Sequence, residues 1–554
     1  MSEEKPVEAN NSVKTTEAVS VKQKSADDTT SKQESTNNVE ANNTNETENK
    51  NQTETGVESK DNIKKIDDQE SSKKRGRGGS QRDRGNKRQR PERAEKIFEP
   101  CPVLFDKDGN EIPKEPRKPK RKVAMMIGYC GTGYHGMQLN PPNKTIEGEL
   151  FDAFIKAEAI SKANSTDLKK NAFMRAARTD KGVHAAGNVV SLKIICEDGV
   201  SGEELTEKIN SFLPGQIRVW GIERTNKGFD CRKMCSSRIY EYLLPTYSLL
   251  PPKPSSVLGT KISEYKEKFP GVSREDPEGD EWWKNVNKKL LESNITQEEI
   301  DKTQRYLKEN NGETENPTAA AGGEESQHLV RKIKQIENTL RRDYRISNDR
   351  LELFKEAMKT YEGHHNFHNF TIGKPFNDAS AQRYMISTNI SKPFVIENTE
   401  WVSIKIHGQS FMLHQIRKMI GMASLVIRTR CPLARISEAF NSTRINIPKA
   451  PALGLLLECP VYEGINPKLQ KFGYNELNFN KFEEKMLEFK KKFIYDKIYA
   501  EEIKENSFHG FYGFIDNFNG EPIFDFLTAK GITQNQPAEE VKIKNDKNDA
   551  DIVE

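Results

Sequence analysis

No stretch of eighteen apolar residues occurs among these 554, so no helix able to cross a bilayer is expected and no membrane partner is called for. The first residues lack the basic-then-apolar layout of a secretory signal. Cysteine is scarce. The seven cysteines, odd in number and scattered, argue for a reducing compartment and against a disulfide framework. Cys231 and Cys235 are the one close pair, and a CxxxC without a second pair nearby is a weak zinc signal. A phosphate-binding loop is also missing, so nucleotide hydrolysis has no cradle. Residues 1–72 have almost no aromatics and carry sixteen acidic and nine basic side chains among many Asn, Thr and Ser. Such a segment cannot bury enough apolar surface to offset its ordering entropy, and a disordered acidic tail is expected there.

Charge is abundant, and it is arranged in blocks. The net +4 hides a reversal of sign, because residues 73–90 hold nine Lys/Arg against one Asp in KKRGRGGSQRDRGNKRQR. Two basic clusters about ten residues apart look like a bipartite address read by a nuclear import receptor, which predicts a nuclear protein. The Arg-Gly content also suits loose contact with RNA phosphates. The segment 73–121 is read as this basic region plus a Pro/Lys-rich linker.

The first strand is expected over 123–129. Thr145 is placed to cap a helix on which Ile146, Leu150, Phe151, Phe154 and Ile155 recur at helical spacing. A strand over 189–195, a helix near 203–212, and strands near 217–223 and 238–244 follow. The pattern degrades after 251, and 310–327 is low-complexity, so 251–344 is expected to be an insertion, partly disordered. A helix over 351–361, strands over 383–390 and 402–406, and a helix over 411–426 come next. An extension over 465–530 contains a Lys/Glu-rich helical stretch, 479–504, expected to add a basic, partly aromatic face; 531–554 is expected to be disordered. The order predicts an α+β fold, with helices on a mostly antiparallel sheet, in two halves at 122–250 and 345–464 with substrate in a cleft between them.

Gly131-Thr-Gly133-Tyr-His-Gly136 follows the first strand and satisfies GxGxxG. A dinucleotide site would need a helix to start at once, and Asn140-Pro141-Pro142 denies it. A glycine-rich turn that brings backbone close to a nucleic acid is the better reading.

Arg175-Ala-Ala-Arg178-Thr179-Asp180-Lys181-Gly182-Val183-His184 sets one carboxylate among cations, on a turn leading into an apolar strand. Cations keep a carboxylate ionised at neutral pH, which suits a nucleophile or ion-pair partner and not a proton donor. Arg238-Ile-Tyr240-Glu-Tyr242 puts two rings on one face of a strand. His414, Arg417, Lys418 and Gly421 share one face of a helix by spacing, with Ile416, Met419 and Ile420 turned to the core. Leu455 lies in an apolar run, 450–458.

Together with Tyr129-Cys130-Gly131-Thr132, these motifs, spanning about 122–460, resemble the TruA family of tRNA pseudouridine synthases. The resemblance implies a pseudouridine synthase fold with a basic RNA cleft, and a tRNA-modifying isomerase that needs no cofactor. Asp180 would be the catalytic residue, either adding to the sugar carbon or abstracting the ribose 2′ proton. Tyr240 would stack on the target base and carry the carbon-5 proton, and Arg417 would ion-pair with Asp180. Arg178 would fill the space of the extruded nucleotide, Leu455 would cover the uracil face, and Thr179, His184, Arg238, His414 and Lys418 would contact substrate. Cys130 and Met137 depart from the Asp and Trp usual in bacterial members. The insertion and basic N-terminal region look most like eukaryotic nuclear multisite members, implying tRNA uridines around the anticodon stem and loop, secondary small nuclear RNA and mRNA targets, and a monomer. A zinc ion is kept as an option because some eukaryotic relatives hold one. The rival reading is a catalytically silent RNA-binding or tRNA-chaperone protein on the same fold.

Overall fold

The computed structural model describes residues 118–165, 167–196, 201–309, 324–519 and 522–533, all within one compact unit, Glu99–Glu554. The acidic tail, the basic 73–90 cluster and residues 534–554 lie outside the described residues.

Ten strands make one sheet: β1 (Lys120–Tyr129), β2 (Met174–Arg175), β3 (His184–Ile195), β4 (Ile217–Arg224), β5 (Ser237–Pro245), β6 (Gly363–Asn366), β7 (Gln382–Ile390), β8 (Phe394–Ile396), β9 (Thr399–Gly408) and β10 (Leu455–Val461). Their order is β4-β1-β3-β10-β5-β9-β7-β6, with β2 on β3 and β8 on β9. Neighbours run antiparallel except β10 beside β3, where Leu456 lies opposite His184 and Leu457 opposite Ala185. The two expected halves are therefore not separate bodies. β10 comes from the second half and pairs with β3 of the first, while β5 of the first pairs with β9 of the second. The strand that GxGxxG follows, β1, runs antiparallel to both its neighbours, and no helix starts until Ile146, as the prolines require.

Both faces of the sheet are covered. Val123, Met125, Ile127 and Tyr129 of β1 pack with α1 (Ile146–Lys156) and α2 (Gly202–Asn210), whereas Ala124 and Met126 join the other large apolar cluster. Thr145 caps α1, its hydroxyl accepting from the Gly148 amide at 3.3 Å, and Ser201 with Glu204 forms a capping box on α2.

Where the pattern degraded, the described residues hold four helices, α3 (Val257–Lys268), α4 (Pro277–Glu292), α5 (Gln297–Glu309) and α6 (Glu324–Asp343), while residues 310–323 of the low-complexity stretch lie outside the described residues. Val286, Leu290, Ile295, Ile300 and Ile333 give this insertion a small core of its own. Apolar positions so few are hard to see among charged neighbours. Arg350, on α7 (Asn348–Lys359), ties the insertion down by pairing with Asp276 and with Glu278.

α8 begins at Gln415, not at 411, and runs to Arg428. Residues 411–414 form a turn, with His414 at φ +59° and Gln415 Oε1 accepting from the Met412 amide at 2.9 Å. All fourteen residues of α8 are buried, so the expected basic face has no solvent side. Beyond α9 (Ala434–Glu438) and α10 (Asn466–Lys471) come α11 (Glu483–Phe489), a π-helical turn (Lys490–Tyr495), α12 (Asp496–Glu505) and α13 (Ser507–Asp516). Most aromatics of this extension point inward, with Phe479, Phe489 and Phe508 buried and Phe472 the exposed exception, and Lys490 is buried beside them. The 479–504 stretch does carry a basic face, with Lys481, Lys485, Lys491, Lys492, Lys497 and Lys504 exposed, but its largest aromatics lie beneath that face.

Candidate active site

Asp180 stands exposed on the loop between β2 and β3, and backbone packs tightly beneath it. The Met137 amide donates to Thr179 O at 3.1 Å and the Gly182 amide to Tyr134 O at 3.3 Å, so the glycine-rich turn clasps the loop. Gly136, at φ +85°, makes this close approach feasible, since a Cβ there would lie 2.9 Å from Thr179 O. Gly131 presses on the loop's far end, its missing Cβ position 2.3 Å from Val183 O.

A buried polar network fixes the same loop from below. Tyr129 Oη and Thr179 Oγ1 are 2.9 Å apart. Asn188 Nδ2 donates to Ala177 O at 3.0 Å and to Tyr129 Oη at 3.3 Å, and Asn188 Oδ1 accepts from the Ala177 amide at 3.3 Å. Thr179, expected at the substrate, is buried in this network. Arg175, the first cation of the motif, turns away from Asp180 to pair with the fully buried Glu147 of α1. Burial raises the Glu147 carboxyl, against the pull of the Leu139 amide and of Arg175. Arg178 is exposed.

His184, also expected at the substrate, lies 3% exposed behind the loop, where its Nδ1 accepts from the Gly131 amide at 3.1 Å. Burial pushes this imidazole down to about 4, so it is neutral and holds the turn.

Across from the loop, Tyr240 is half-buried and meets Phe411 edge to face at 5.1 Å. Burial pushes its phenol up to about 12, Arg238 pulls it down and Asp180 pushes it up, which puts both charges within electrostatic reach of the ring. Tyr242 does not share its exposure. It is fully buried, with its hydroxyl on Pro451 O at 2.8 Å. Arg238 clamps the loop to the second half, donating to Ala176 O at 2.9 Å and to Gln409 O at 3.4 Å. Arg417 is buried, with Nε on Ala450 O at 2.6 Å. Lys418, expected at the substrate, is 2% exposed and donates to Thr371 O at 3.2 Å inside the protein. His414 caps α8 and is half-buried; Leu455 is half-buried opposite Tyr242.

An exposed carboxylate on a clamped loop, facing a protonated tyrosine that borders both apolar clusters, suits chemistry on a ring brought in from outside. Residues 357–463 match a family model described as tRNA pseudouridine synthase. tRNA pseudouridine synthase 1 of Candida albicans is 59% identical over 446 residues, 76% of this chain and 72% of that protein. Its namesake in Saccharomyces cerevisiae is 52% identical over 465 residues, 80% of this chain and 84% of the relative. The chain belongs to the TruA family of tRNA pseudouridine synthases. It is an enzyme of the isomerase class. A tRNA pseudouridine(27/28) synthase of Saccharomyces cerevisiae is more distant, at 40% over 386 residues, 69% of this chain and 96% of that protein.

In this synthase the close cysteine pair does not fit a zinc ion. The Cys231 thiol, pushed up to about 12 by burial, rests on Met174 O at 3.2 Å, and that of Cys235 on Ser237 O at 3.1 Å. Among the described residues no three His, Cys, Asp or Glu converge as a metal site. The residues that sequence reasoning missed are the supports Tyr129, Asn188 and Glu147. A lone buried Asn in a strand was their one visible signal.

Proposed function

We propose that this synthase converts uridine to pseudouridine at several positions in and near the anticodon stem and loop of tRNA, with small nuclear RNA and mRNA uridines as secondary targets. It acts as a monomer in the nucleus, delivered by an import receptor that reads residues 73–90. In the reaction the bond from the ribose anomeric carbon to uracil N1 breaks, the base turns over, and a bond to carbon 5 forms. The carbon-5 proton leaves and N1 ends protonated, so the step is redox-neutral. Asp180 serves the ribose as nucleophile or base, and Arg417 holds it ionised and oriented. Tyr240, protonated at neutral pH, stacks on the base and carries the proton from carbon 5. Leu455 covers the uracil face, while Arg178 and His414 meet the RNA. Arg238 holds the loop in register.

What supports this reading most is the likeness to tRNA pseudouridine synthases at 52% and 59% identity, together with an exposed Asp180 within electrostatic reach of half-buried Tyr240. Purified protein on unmodified tRNA transcripts tests it, wild type beside Asp180→Ala, with and without EDTA. The variant is expected to lose roughly three orders of magnitude or more in rate while tRNA affinity stays within a few fold. EDTA is expected to change neither. Pseudouridine formation by Asp180→Ala at the wild-type rate would remove the carboxylate from the chemistry.

A further inference from the structure

Behind Tyr240 the sheet carries buried charges that this chemistry does not use. Glu241, the next residue on β5, is 3% exposed. Its carboxylate takes Lys490 Nζ at 2.7 Å, the Tyr495 hydroxyl at 2.8 and 2.9 Å, and the Ser403 hydroxyl. Glu458 of β10 takes the same Lys490 Nζ at 2.6 Å. Burial works against the charges on Glu241 and Lys490. Even so, the two carboxylates hold the Lys490 ammonium well above its ordinary range, and Lys490 holds Glu241 below its own. One buried cation thus bridges two adjacent strands.

Glu458 sits at an irregularity. Leu457 pairs with Tyr240 and Cys459 with Ile239, which leaves Glu458 as the extra residue of a β-bulge beside Tyr240. Bulges re-aim neighbouring side chains and need something to pin them. Room for this one comes from Gly187, where a Cβ would lie 2.8 Å from Glu458 O and 2.8 Å from Phe479 Cε1. Phe482 likewise fills the space over Gly221, 2.6 Å from its missing Cβ. The lysine itself comes from the π-helical turn, a geometry found mostly at functional sites.

We infer that the 479–505 segment braces the catalytic strand pair from behind, and that Lys490 is a positioning residue for Tyr240, acting through Glu241 and the Glu458 bulge. This rests on the reading of Tyr240 as the residue that holds the base. A buried ion triad is a poor source of stability, since apolar replacements of similar volume are often neutral or better. It does fix one register, and β5 and β10 carry Tyr240 and Leu455.

The test uses the full chain on an unmodified tRNA transcript, reading single-turnover rate, tRNA Kd and melting temperature for Glu458→Gln, Lys490→Met and Lys490→Arg. Glu458→Gln releases the bulge but leaves the Lys490–Glu241 pair. Its rate is expected to fall by roughly tenfold or more, with Kd within twofold and melting close to wild type. Lys490→Arg is expected to recover most of the rate that Lys490→Met loses. If Lys490→Met does not fold, Glu458→Gln decides alone. Wild-type rates in a folded Glu458→Gln would overturn the brace. A wild type that makes no pseudouridine would instead overturn the function. The brace is then judged by fluorine NMR of 3-fluorotyrosine protein, with the Tyr240 signal assigned through Tyr240→Phe. A signal that moves in Glu458→Gln upholds the brace, and one that stays put refutes it.

Discussion

His184 accepts from the Gly131 amide with its imidazole held near 4, while in the unfolded chain the same ring titrates near 6.5. Between those values the unfolded state takes up a proton that the native state refuses. The sign follows: this group's contribution is complete above about 6.5 and is lost as pH falls towards 4. From pH 7 to pH 5 the loss is about 2 kcal/mol. His184→Asn keeps an oxygen acceptor for Gly131 and cannot titrate. Urea unfolding at the two pH values is expected to show the variant losing about 2 kcal/mol less than wild type. Equal losses would mean that the ring is protonated in the fold. Asp180 and Tyr240 differ from His184 in kind. Asp180 is exposed and Tyr240 half-buried with the carboxylate within electrostatic reach of its phenol, whereas buried Thr179 and half-buried Arg238 hold the loop in place.

α8 joins these single residues into an element. Its Arg417 grips Ala450 O, and one turn on, a Cβ at Gly421 would lie 2.5 Å from Pro448 O. That neighbour is backbone and cannot step aside. Gly421→Ala is therefore expected to cost about 1–3 kcal/mol by overpacking, and to shift Arg417 against the segment leading to Leu455. Thermal melting and turnover check this together, and a variant with wild-type values in both would mean the 448–450 backbone yields freely. Elements of this kind also mark how far the sequence was legible. α1 and α2 announced themselves through Thr145 and through helical spacing, and β3 through an apolar run that only a doubly covered strand has. The Asp180 loop was legible because its glycine, cations and carboxylate sit within ten consecutive residues. α8 was misplaced by four residues because Phe411 and Met412 continue its apolar rhythm, and only the left-handed His414 breaks it. Its Arg417 and Lys418 suggested a wet face, because spacing cannot reveal that a second layer covers it. The exchange of β5 and β10 between halves, and the Lys490 brace, depend on partners more than 200 residues apart along the chain or on a bulge, and no local pattern encodes either.

At the scale of the whole molecule, the proposed reading gives catalysis and delivery to different stretches of chain. The proposed catalytic groups, the loop clamps and the brace all lie between Lys120 and Glu505, so the reaction on a free tRNA is expected not to require the basic segment. Its nine Lys/Arg have two roles open to them, an address and a tether, and the two differ in salt dependence. A tether that neutralises several phosphates raises tRNA affinity at low salt and steepens its fall as salt rises, by about one counterion for each phosphate contacted. An address leaves affinity alone. Deleting 73–90 is expected to move the protein out of the nucleus, seen by imaging a tagged chain, while single-turnover rates on saturating tRNA stay at the wild-type level. If location is unchanged and the salt slope of tRNA binding flattens, the segment is a tether, and nuclear entry must be read from other residues of the chain.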